Sequence, residues 1–169
     1  FIYGLPSPTP DAGNEQGVGP DAVRCVFLRG TGAVFGFTLT DGHTINADAG
    51  TGYGGGAYAD GSGAVVDCVI SNCYAVRGGA ASGSKLSVVN SILDGCGTYW
   101  KTGKGLYQGT AWGCLFRNMN GYDTYNAKAY NCTIDGYAQG TVTPPNMKCW
   151  NSAVYRDGDY VLATNCCRV

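Results

Sequence analysis

The sequence predicts an all-β protein built as a solenoid of stacked units. A nine-residue stretch, Ala64 to Asn72, recurs in related form further along the chain. Each copy has an apolar residue, then Asp, Asn or Gly, then Cys or Ser, one spacer and another apolar residue. The β-branched, aromatic and glycine residues in the copies favour strands over helices. The further copies are Val88 to Gly95, Ala111 to Asn118, Ala129 to Gly136 and Cys149 to Arg156.

The Cys or Ser position recurs at intervals of 23, 23, 18 and 20 residues, which suits one turn of a repeat coil. A weaker copy, Val34 to Asp41, places Phe37 at this position 31 residues before Cys68. The alternative is an ordinary β-sandwich with turns at similar intervals. A sandwich does not require the same three-residue signature in successive segments, so the solenoid is favoured. The Cys or Ser positions are Cys68, Ser91, Cys114, Cys132 and Ser152.

Alternation along a strand predicts which side chains face the interior. Because alternate positions share a face, we expect Val66, Cys68 and Ile70 to point into the coil. By the same rule, Trp112, Tyr130 and Trp150 are expected to fill the coil. The residue before each Cys or Ser tolerates left-handed backbone angles, so it is expected to form a bend, and the bends are expected to stack as a ladder. The bend residues are Asp67, Asn90, Gly113, Asn131 and Asn151.

The other elements follow in order from local signals. Residues 1–20 hold four of the six prolines and are predicted to form an irregular N-terminal segment or strand, and residues 21–169 form the coil. Two strands, Ala22 to Leu28 and Gly36 to Thr40, flank the turn Arg29 to Gly32. Loops or inserts are expected at Asp41 to Gly63, Thr98 to Gly109, Met119 to Lys128 and Tyr137 to Met147, with a last strand at Tyr160 to Val169.

Composition narrows the class of protein. The 169 residues are enough for one domain with a sizeable core, and charged residues are only 14% of the chain. A net charge of −1 without a basic run argues against a nucleic-acid partner. The absence of an apolar run near ~18 residues argues against a membrane span. The apolar start without Met leads us to expect a processed piece of a longer protein.

The chain has nine cysteines, an odd number that leaves at least one unpaired. Cys73 and Cys96 share a second slot five residues after the first, so they are either a disulfide between adjacent turns or small apolar fillers. Cys166 and Cys167 are candidates for pairing near the C-terminus. A single His and no CxxC predict no metal site or cofactor, with structural calcium left open. Three further cysteines are interpreted as fillers: Cys68, Cys114 and Cys132.

Three segments of the chain carry a family resemblance: GPDAVRCVFLRG, AVFGFTLTDGHT and GGGAYADGSGAVVDCVISNCYAVRGGAA. They resemble the repeats of large bacterial surface and secreted proteins, of the polymorphic outer-membrane protein and autotransporter-passenger type. The resemblance covers roughly Gly19 to Asn165. It implies a right-handed parallel β-helix with irregular loop inserts, located outside the cell or on its surface. It does not imply one activity, because β-helices include lyases, hydrolases, adhesins and passive stalks.

An enzyme would need clustered acids. The resemblance implies that a polysaccharide lyase or hydrolase would use carboxylates, often with calcium, and an Arg or Lys base. Asp94 and Asp135 share a slot two turns apart, a separation of ~10 Å. Glycosidases place their two carboxyl groups ~5.5 to ~9.5 Å apart, so this pair fits poorly. The lone His43 lies in a predicted loop and is interpreted as a surface residue. No catalytic residue is assigned.

Exposed aromatic residues suggest a carbohydrate-binding module as the alternative function. Tyr99 and Trp100 lie beside Lys101 and Lys104 in the predicted insert. Aromatic rings of this kind stack on sugars or form protein interfaces. These four residues are the predicted ligand-binding group.

The leading hypothesis is a non-catalytic structural or surface protein that stacks or self-assembles. The end of a solenoid exposes unpaired backbone and needs a cap, and no capping helix is apparent in the sequence. The apolar residues Phe1, Ile2 and Tyr3 are expected to pair with another chain. The expected partners are copies of this chain or the remainder of a larger surface protein.

Overall fold

The computed structural model describes residues 1–11, 17–47, 50–100, 103–119, 122–136, 147–150, 152–154, 161–164 and 167–168. The only helix in these ranges is a 3-10 turn at Gly50–Gly52, and the rest of the regular structure is short strands. The strands are β1 (Ile2–Tyr3), β2 (Val26–Leu28), β3 (Ala33–Phe35), β4 (Thr38–Thr40), β5 (Ala57–Ala59), β6 (Ala64–Val66), β7 (Val69–Ser71), β8 (Tyr74–Ala75), β9 (Ala81–Ser82), β10 (Ser87–Val89) and β11 (Ile92–Asp94). They continue with β12 (Gly97–Thr98), β13 (Leu106–Tyr107), β14 (Thr110–Trp112), β15 (Leu115–Met119), β16 (Thr124–Tyr125), β17 (Lys128–Tyr130), β18 (Thr133–Gly136), β19 (Met147–Trp150), β20 (Ala153–Val154), β21 (Val161–Thr164) and β22 (Cys167–Arg168).

The strands form three long parallel sheets, and the chain visits them in rotation. Sheet 1 has the order β1-β4-β7-β11-β15-β18-β20-β22, sheet 2 the order β3-β6-β10-β14-β17-β19-β21, and sheet 3 the order β2-β5-β9-β13-β16. A two-stranded sheet pairs β8 with β12. One turn of the coil therefore runs from sheet 3 to sheet 2 to sheet 1, and the next turn lies on top of it. This arrangement is a parallel β-helix, as predicted.

The pairing register confirms the predicted repeat lengths. Val34 pairs with Val65, Val65 with Val88, Val88 with Ala111, and the series continues to Ala129 and Cys149. These steps are 31, 23, 23, 18 and 20 residues, the same intervals as the Cys or Ser signature. Turns of unequal length stay in register because the extra residues lie in the connections between strands.

The predicted bends form the corner between sheet 2 and sheet 1, which we call the first corner. Each bend residue has a positive φ, which Gly, Asn and Asp adopt at the lowest cost. A second corner follows sheet 1 and is built the same way, from Asp41, Asn72, Gly95 and Asn118. Asn151 lies outside the described residues. The φ values at the first corner are 71° for Gly36, 52° for Asp67, 46° for Asn90, 62° for Gly113 and 52° for Asn131.

The Cys or Ser residue after each first-corner bend points into the coil. The five residues Cys68, Ser91, Cys114, Cys132 and Ser152 are all buried, as predicted. We call them the first-corner column. Phe37 occupies the same register position below Cys68, since Val69 N donates to Phe37 O just as Ile92 N donates to Cys68 O.

One part of the facing prediction is wrong. The interior residue before the bend is Val65 rather than Val66, and Val66 is only half-buried. The left-handed residue Asp67 turns the chain between them, so simple alternation does not continue through the corner. Interior side chains therefore stand three residues apart across the bend. The other residues equivalent to Val65 are also fully buried: Val88, Ala111 and Ala129.

Three of the five strands of sheet 3 lie in segments that were predicted to be loops or inserts. The strands β5, β13 and β16 fall inside the predicted inserts at Asp41 to Gly63, Thr98 to Gly109 and Met119 to Lys128. They have two or three residues each, too few for an alternating pattern. These segments are strands because they pair with strands of the neighbouring turns. Their strand conformation therefore depends on tertiary contacts and not on the local sequence.

Candidate functional site

An aromatic ladder lies on the outer face of sheet 2. The rings of Trp112 and Tyr130 stack with centroids 4.0 Å apart and planes 10° apart, and Tyr130 stacks on Trp150 at 4.5 Å and 8°. The prediction that these three side chains fill the coil is wrong, because Trp112 is 43% exposed and the other two are half-buried. Each stands in register with the outward residues Val66 and Val89. In such a stack the ring faces cover one another, so the ladder offers solvent mainly ring edges.

A second aromatic group, on the outer face of sheet 3, was missed in the sequence. Tyr107 and Tyr125 stack at 5.4 Å, and Tyr53 lies against Tyr107 at the same distance. The Arg77 guanidinium lies 5.3 Å from the centre of the Tyr107 ring and donates to its hydroxyl oxygen at 3.0 Å. Tyr58, at the equivalent position lower in the sheet, lies under Arg24. These residues form a packed outer layer.

A glycine that recurs before the strands of sheet 3 is the sequence signal that could have predicted this group. Gly54, Gly78 and Gly103 all have positive φ, and each comes four residues before an outward-facing position of sheet 3. Those positions are Tyr58, Ser82 and Tyr107, aligned by the pairing of β5, β9 and β13.

Arg24 holds the short helix in place. Its guanidinium donates to the carbonyl oxygens of Tyr53 at 2.9 Å, Gly50 at 3.0 Å and Thr51 at 2.6 Å. Burial lowers the pKa of this guanidinium, and the nearby Tyr58 acts in the opposite direction. Because its guanidinium is hydrogen-bonded to these backbone oxygens, Arg24 has a structural role.

The predicted ligand-binding group is only partly assembled. Tyr99 and Trp100 are adjacent, exposed and edge-to-face, with ring centroids 5.5 Å apart. Lys104 is half-buried, and its charge acts on Asp123. Lys101 lies outside the described residues. The exposed part of the group is therefore the Tyr99 and Trp100 pair.

The predicted self-association residues lie at the lower end of the coil. Ile2 and Tyr3 pair in parallel with Leu39 and Thr40 of the same chain. Their backbone thus has a partner within the coil, which the sequence did not reveal. The Phe1 and Tyr3 rings stack on each other at 5.9 Å and remain 78% and 64% exposed.

This end also exposes other large apolar side chains. In the described part of the chain, β1, β2 and β3 are each the last strand of their sheet, so one edge of each carries no further strand. Phe37 is 43% exposed, although the residues above it in the first-corner column are buried. We call this surface the lower end face. The exposed apolar residues at this end are Phe1, Tyr3, Leu5, Val23, Phe27, Phe35 and Phe37, of which Tyr3, Phe27 and Phe35 stand at outward positions of the lowest strands and so form the rim of the lower end face.

Asp94 is held in a network of hydrogen bonds. Its Oδ2 accepts from Arg117 Nε at 2.9 Å and pairs with Nη2 at 2.8 Å, while its Oδ1 accepts from Asn118 Nδ2 at 2.6 Å. Both oxygens of this carboxylate are thus committed to neighbouring side chains of the next turn.

Asp123 is the opposite case, because it is 5% exposed and neither carboxylate oxygen has a hydrogen-bond partner among the described residues. The pKa of Asp123 is raised to about 8, mainly by burial and also by the charge of Asp135, while Lys104 acts in the opposite direction. Among the described residues, no polar group lies within hydrogen-bond distance of its oxygens to help it bind or position a substrate. We therefore assign it no catalytic role.

His43 is buried, contrary to its interpretation as a surface residue. Its Nδ1 lies 2.8 Å from the carbonyl oxygen of Asp41, and its ring stacks on Tyr74 at 5.6 Å. These contacts tie the loop after β4 to the next turn. Among the described residues, no group of three or more His, Cys, Asp or Glu side chains is placed to hold a metal ion.

The cysteines of the second slot stand next to each other as free thiols. Cys73 and Cys96 are buried, and the pairing of β8 with β12 puts them in adjacent turns. The proximity of Cys73, together with burial, raises the pKa of the Cys25 thiol. The fold thus brings Cys73 and Cys96 together, and the disulfide between them remains a prediction. Cys167 lies in β22, and Cys166 is outside the described residues.

Together these features define a parallel β-helix repeat protein with aromatic outer layers and an apolar lower end face. No protein-family model, curated protein or solved structure matches the chain. Within the described ranges, no helix is long and apolar enough to cross a membrane.

Proposed function

We propose that this chain is a non-catalytic structural module of an extracellular or bacterial cell-surface protein, and that its coil associates end to end with another copy. The proposed extracellular or cell-surface location rests on the resemblance of the repeat segments to those of bacterial surface and secreted proteins. The association rests on the lower end face.

The observation that carries the proposal is the exposure of Phe37. It holds the register position of the first-corner column, where Cys68 and the residues above it are buried. An aromatic ring at an interior position becomes buried only when another turn lies beneath it. Phe35 and Tyr3 extend the same apolar surface to either side, with exposures of 60% and 64%. Burying such rings supplies a driving force, and the open strand edges supply hydrogen bonds.

A second copy is the partner that fits this surface. At the opposite end of the coil, the last described strand of sheet 2 is β21 and that of sheet 1 is β22. If one copy lies beneath another, its β21 and β22 fall in line with β3 and β1 of the copy above. All the strands within these sheets are parallel, so the sheets continue from one copy to the next. Contacts of this head-to-tail kind do not close, and they generate filaments.

The experiment is light scattering with size-exclusion chromatography at increasing protein concentration, followed by electron microscopy. The wild-type chain is expected to form linear oligomers. Phe35→Lys and Tyr3→Lys place charges on the lower end face without removing interior side chains. Each is expected to move assembly to a concentration at least about tenfold higher.

Trp100→Lys is the matched control, because Trp100 is similarly exposed but follows β12, two turns above the lowest strands. This variant is expected to assemble like the wild type. A wild-type chain that stays monomeric at every concentration would refute the proposal. Equal effects of the three substitutions would show that the lower end face is not the interface.

Carbohydrate binding is the second candidate, supported by the exposed edge-to-face pair of Tyr99 and Trp100. A glycan-array signal that Trp100→Ala removes, and that Phe35→Lys leaves unchanged, would establish it. A polysaccharide lyase or hydrolase has less support, since Asp94 is ion-paired and the described acids do not converge. Measurable cleavage of pectin or alginate would reverse that order.

A further inference from the structure

The five residues of the first-corner column make the same local hydrogen bond. Each side chain donates to the backbone oxygen two residues earlier, so that Ser91 donates to Val89 O at 2.7 Å and Cys132 to Tyr130 O at 3.2 Å. Cys68, Cys114 and Ser152 do the same at 3.2, 3.4 and 2.9 Å. Cys and Ser are therefore interchangeable in this slot as far as the corner is concerned.

The order of Cys and Ser along the column is not uniform. Ser91 separates Cys68 from Cys114, whereas Cys114 and Cys132 are direct neighbours. Trp112 pairs with Tyr130 on one side of them and Leu115 with Thr133 on the other, so their α-carbons face each other across one strand spacing. That spacing is ~4.8 Å, while Cys68 is two spacings, ~10 Å, from Cys114.

Only the adjacent pair meets the geometry of a disulfide. Disulfides join α-carbons about 4.4–6.8 Å apart, which includes one strand spacing and excludes two. The Cys114 thiol faces the carbonyl oxygens of Val88 at 3.3 Å and Trp112 at 3.4 Å, and the Cys132 thiol faces that of Tyr130 at 3.2 Å, so both sulfurs lie inside the coil at the same corner. The proximity of Cys114 lowers the pKa of Cys132 to about 7, while the proximity of Cys132, with burial, raises the pKa of Cys114.

We propose that Cys114 and Cys132 are a covalent modification site, a dithiol that oxidises to a disulfide between adjacent turns while Cys68 in the same column stays free. The oxidant is a small-molecule or protein disulfide. The thiolate of one cysteine attacks it, releasing one thiol and leaving a mixed disulfide on the protein. The second cysteine then attacks that bond, a sulfur–sulfur bond forms between the two residues, and the second thiol leaves. Two protons and two electrons pass from the pair to the oxidant.

Burial determines when this reaction occurs. Both residues are 2% exposed, so an oxidant reaches them only while the turns are open, during folding or local unfolding. Once formed, the bond ties together the turns that contain β14 and β17. The folded dithiol is expected to resist alkylation, and the disulfide to resist reduction, until the coil opens.

The test is refolding in oxidised or in reduced glutathione, followed by alkylation, tryptic digestion and mass spectrometry. Trypsin cleaves after Lys104, Arg117, Lys128 and Lys148, which puts each of the two cysteines in a peptide of its own. The oxidised sample is expected to contain these peptides joined, with Cys68 alkylated. It is expected to melt roughly 5–10 °C above the reduced sample.

Cys114→Ser and Cys132→Ser are the matched variants, because serine already makes the same hydrogen bond at positions 91 and 152. Each is expected to fold, to leave the remaining cysteine of the pair unlinked, and to lose the increase in melting temperature. Alkylation of both residues in the oxidised wild type, or a bond from either to Cys68, would overturn the proposal. So would a melting increase in both variants as large as that of the wild type.

Discussion

The side-chain oxygen of Asn90 lies over Gly113, only 2.7 Å from where a β-carbon on the glycine would stand. Gly113 has a φ of 62°, and Gly36, two turns below Asn90 in the same corner, has a φ of 71° with open space around it. Asn90 thus covers the next bend, and the corner is a ladder in which one bend residue contacts the one above it.

Gly113→Ala is expected to destabilise the coil more than Gly36→Ala. Both substitutions place a side chain on a left-handed residue, at about 1–2 kcal/mol each. Gly113→Ala also displaces the Asn90 amide, which adds about 0.5–1 kcal/mol. Chemical denaturation of the two variants measures the difference. Equal losses would mean that the Asn90 contact contributes nothing to stability.

Asn131→Val is expected to lower the unfolding free energy by about 1–3 kcal/mol, because a β-branched residue is strained at its φ of 52°. Asn131→Gly is the control and is expected to stay within about 0.5 kcal/mol of the wild type, since glycine occupies the same corner at positions 36 and 113. Thermal or urea unfolding compares the two. A valine variant as stable as the glycine variant would contradict a left-handed bend at this position.

Asp123→Asn is expected to stabilise the protein at alkaline pH. The folded pKa of about 8 lies above the usual value of 3.8, so the native state holds a proton that the unfolded state has lost between these values. The wild type therefore loses stability as the pH rises from about 4 through 8, by roughly 6 kcal/mol at most. The amide cannot ionise, so the variant lacks this loss.

The measurement for Asp123 is the difference in melting temperature between the variant and the wild type at a series of pH values. The difference is expected to grow in favour of the variant up to about pH 8 and then level off. Comparing the two proteins at each pH cancels the titration of groups that do not interact with Asp123, while Lys104 and Asp135, which do interact with it, contribute to the difference. A difference that does not change with pH would show that Asp123 does not carry the shifted pKa.

Trp112→Ala is expected to destabilise the protein by about 1–3 kcal/mol despite the exposure of the ring. The substitution removes one side of the Tyr130 stack at 4.0 Å, and stacked aromatic pairs add about 0.5–1.5 kcal/mol to the burial of their area. Trp100→Ala is the control, because that ring has only an edge contact with Tyr99. Similar small losses in both variants would show that the ladder does not stabilise the fold.

The repeat and its corners were predictable because they depend on local backbone chemistry. Asp67, Asn90 and Asn131 precede a small residue in each copy, and a left-handed bend followed by an inward Cys or Ser is a property of those few residues. The intervals between copies then determined which strands pair. The outward direction of Trp112 and Tyr130 was not predictable from alternation, because the bend itself changes the face of the residue before it.

The sequence by itself therefore determined the parallel β-helix, the pairing register and the buried first-corner column. The tertiary structure alone decided the rest: most of the third sheet, the outer aromatic layers, and the burial of His43 and Asp123. The physical reason is that these features arise between turns. A two-residue strand such as Leu106–Tyr107 forms only because β9 and β16 lie on either side of it. A ring or carboxyl group is buried only where the adjacent turn covers it.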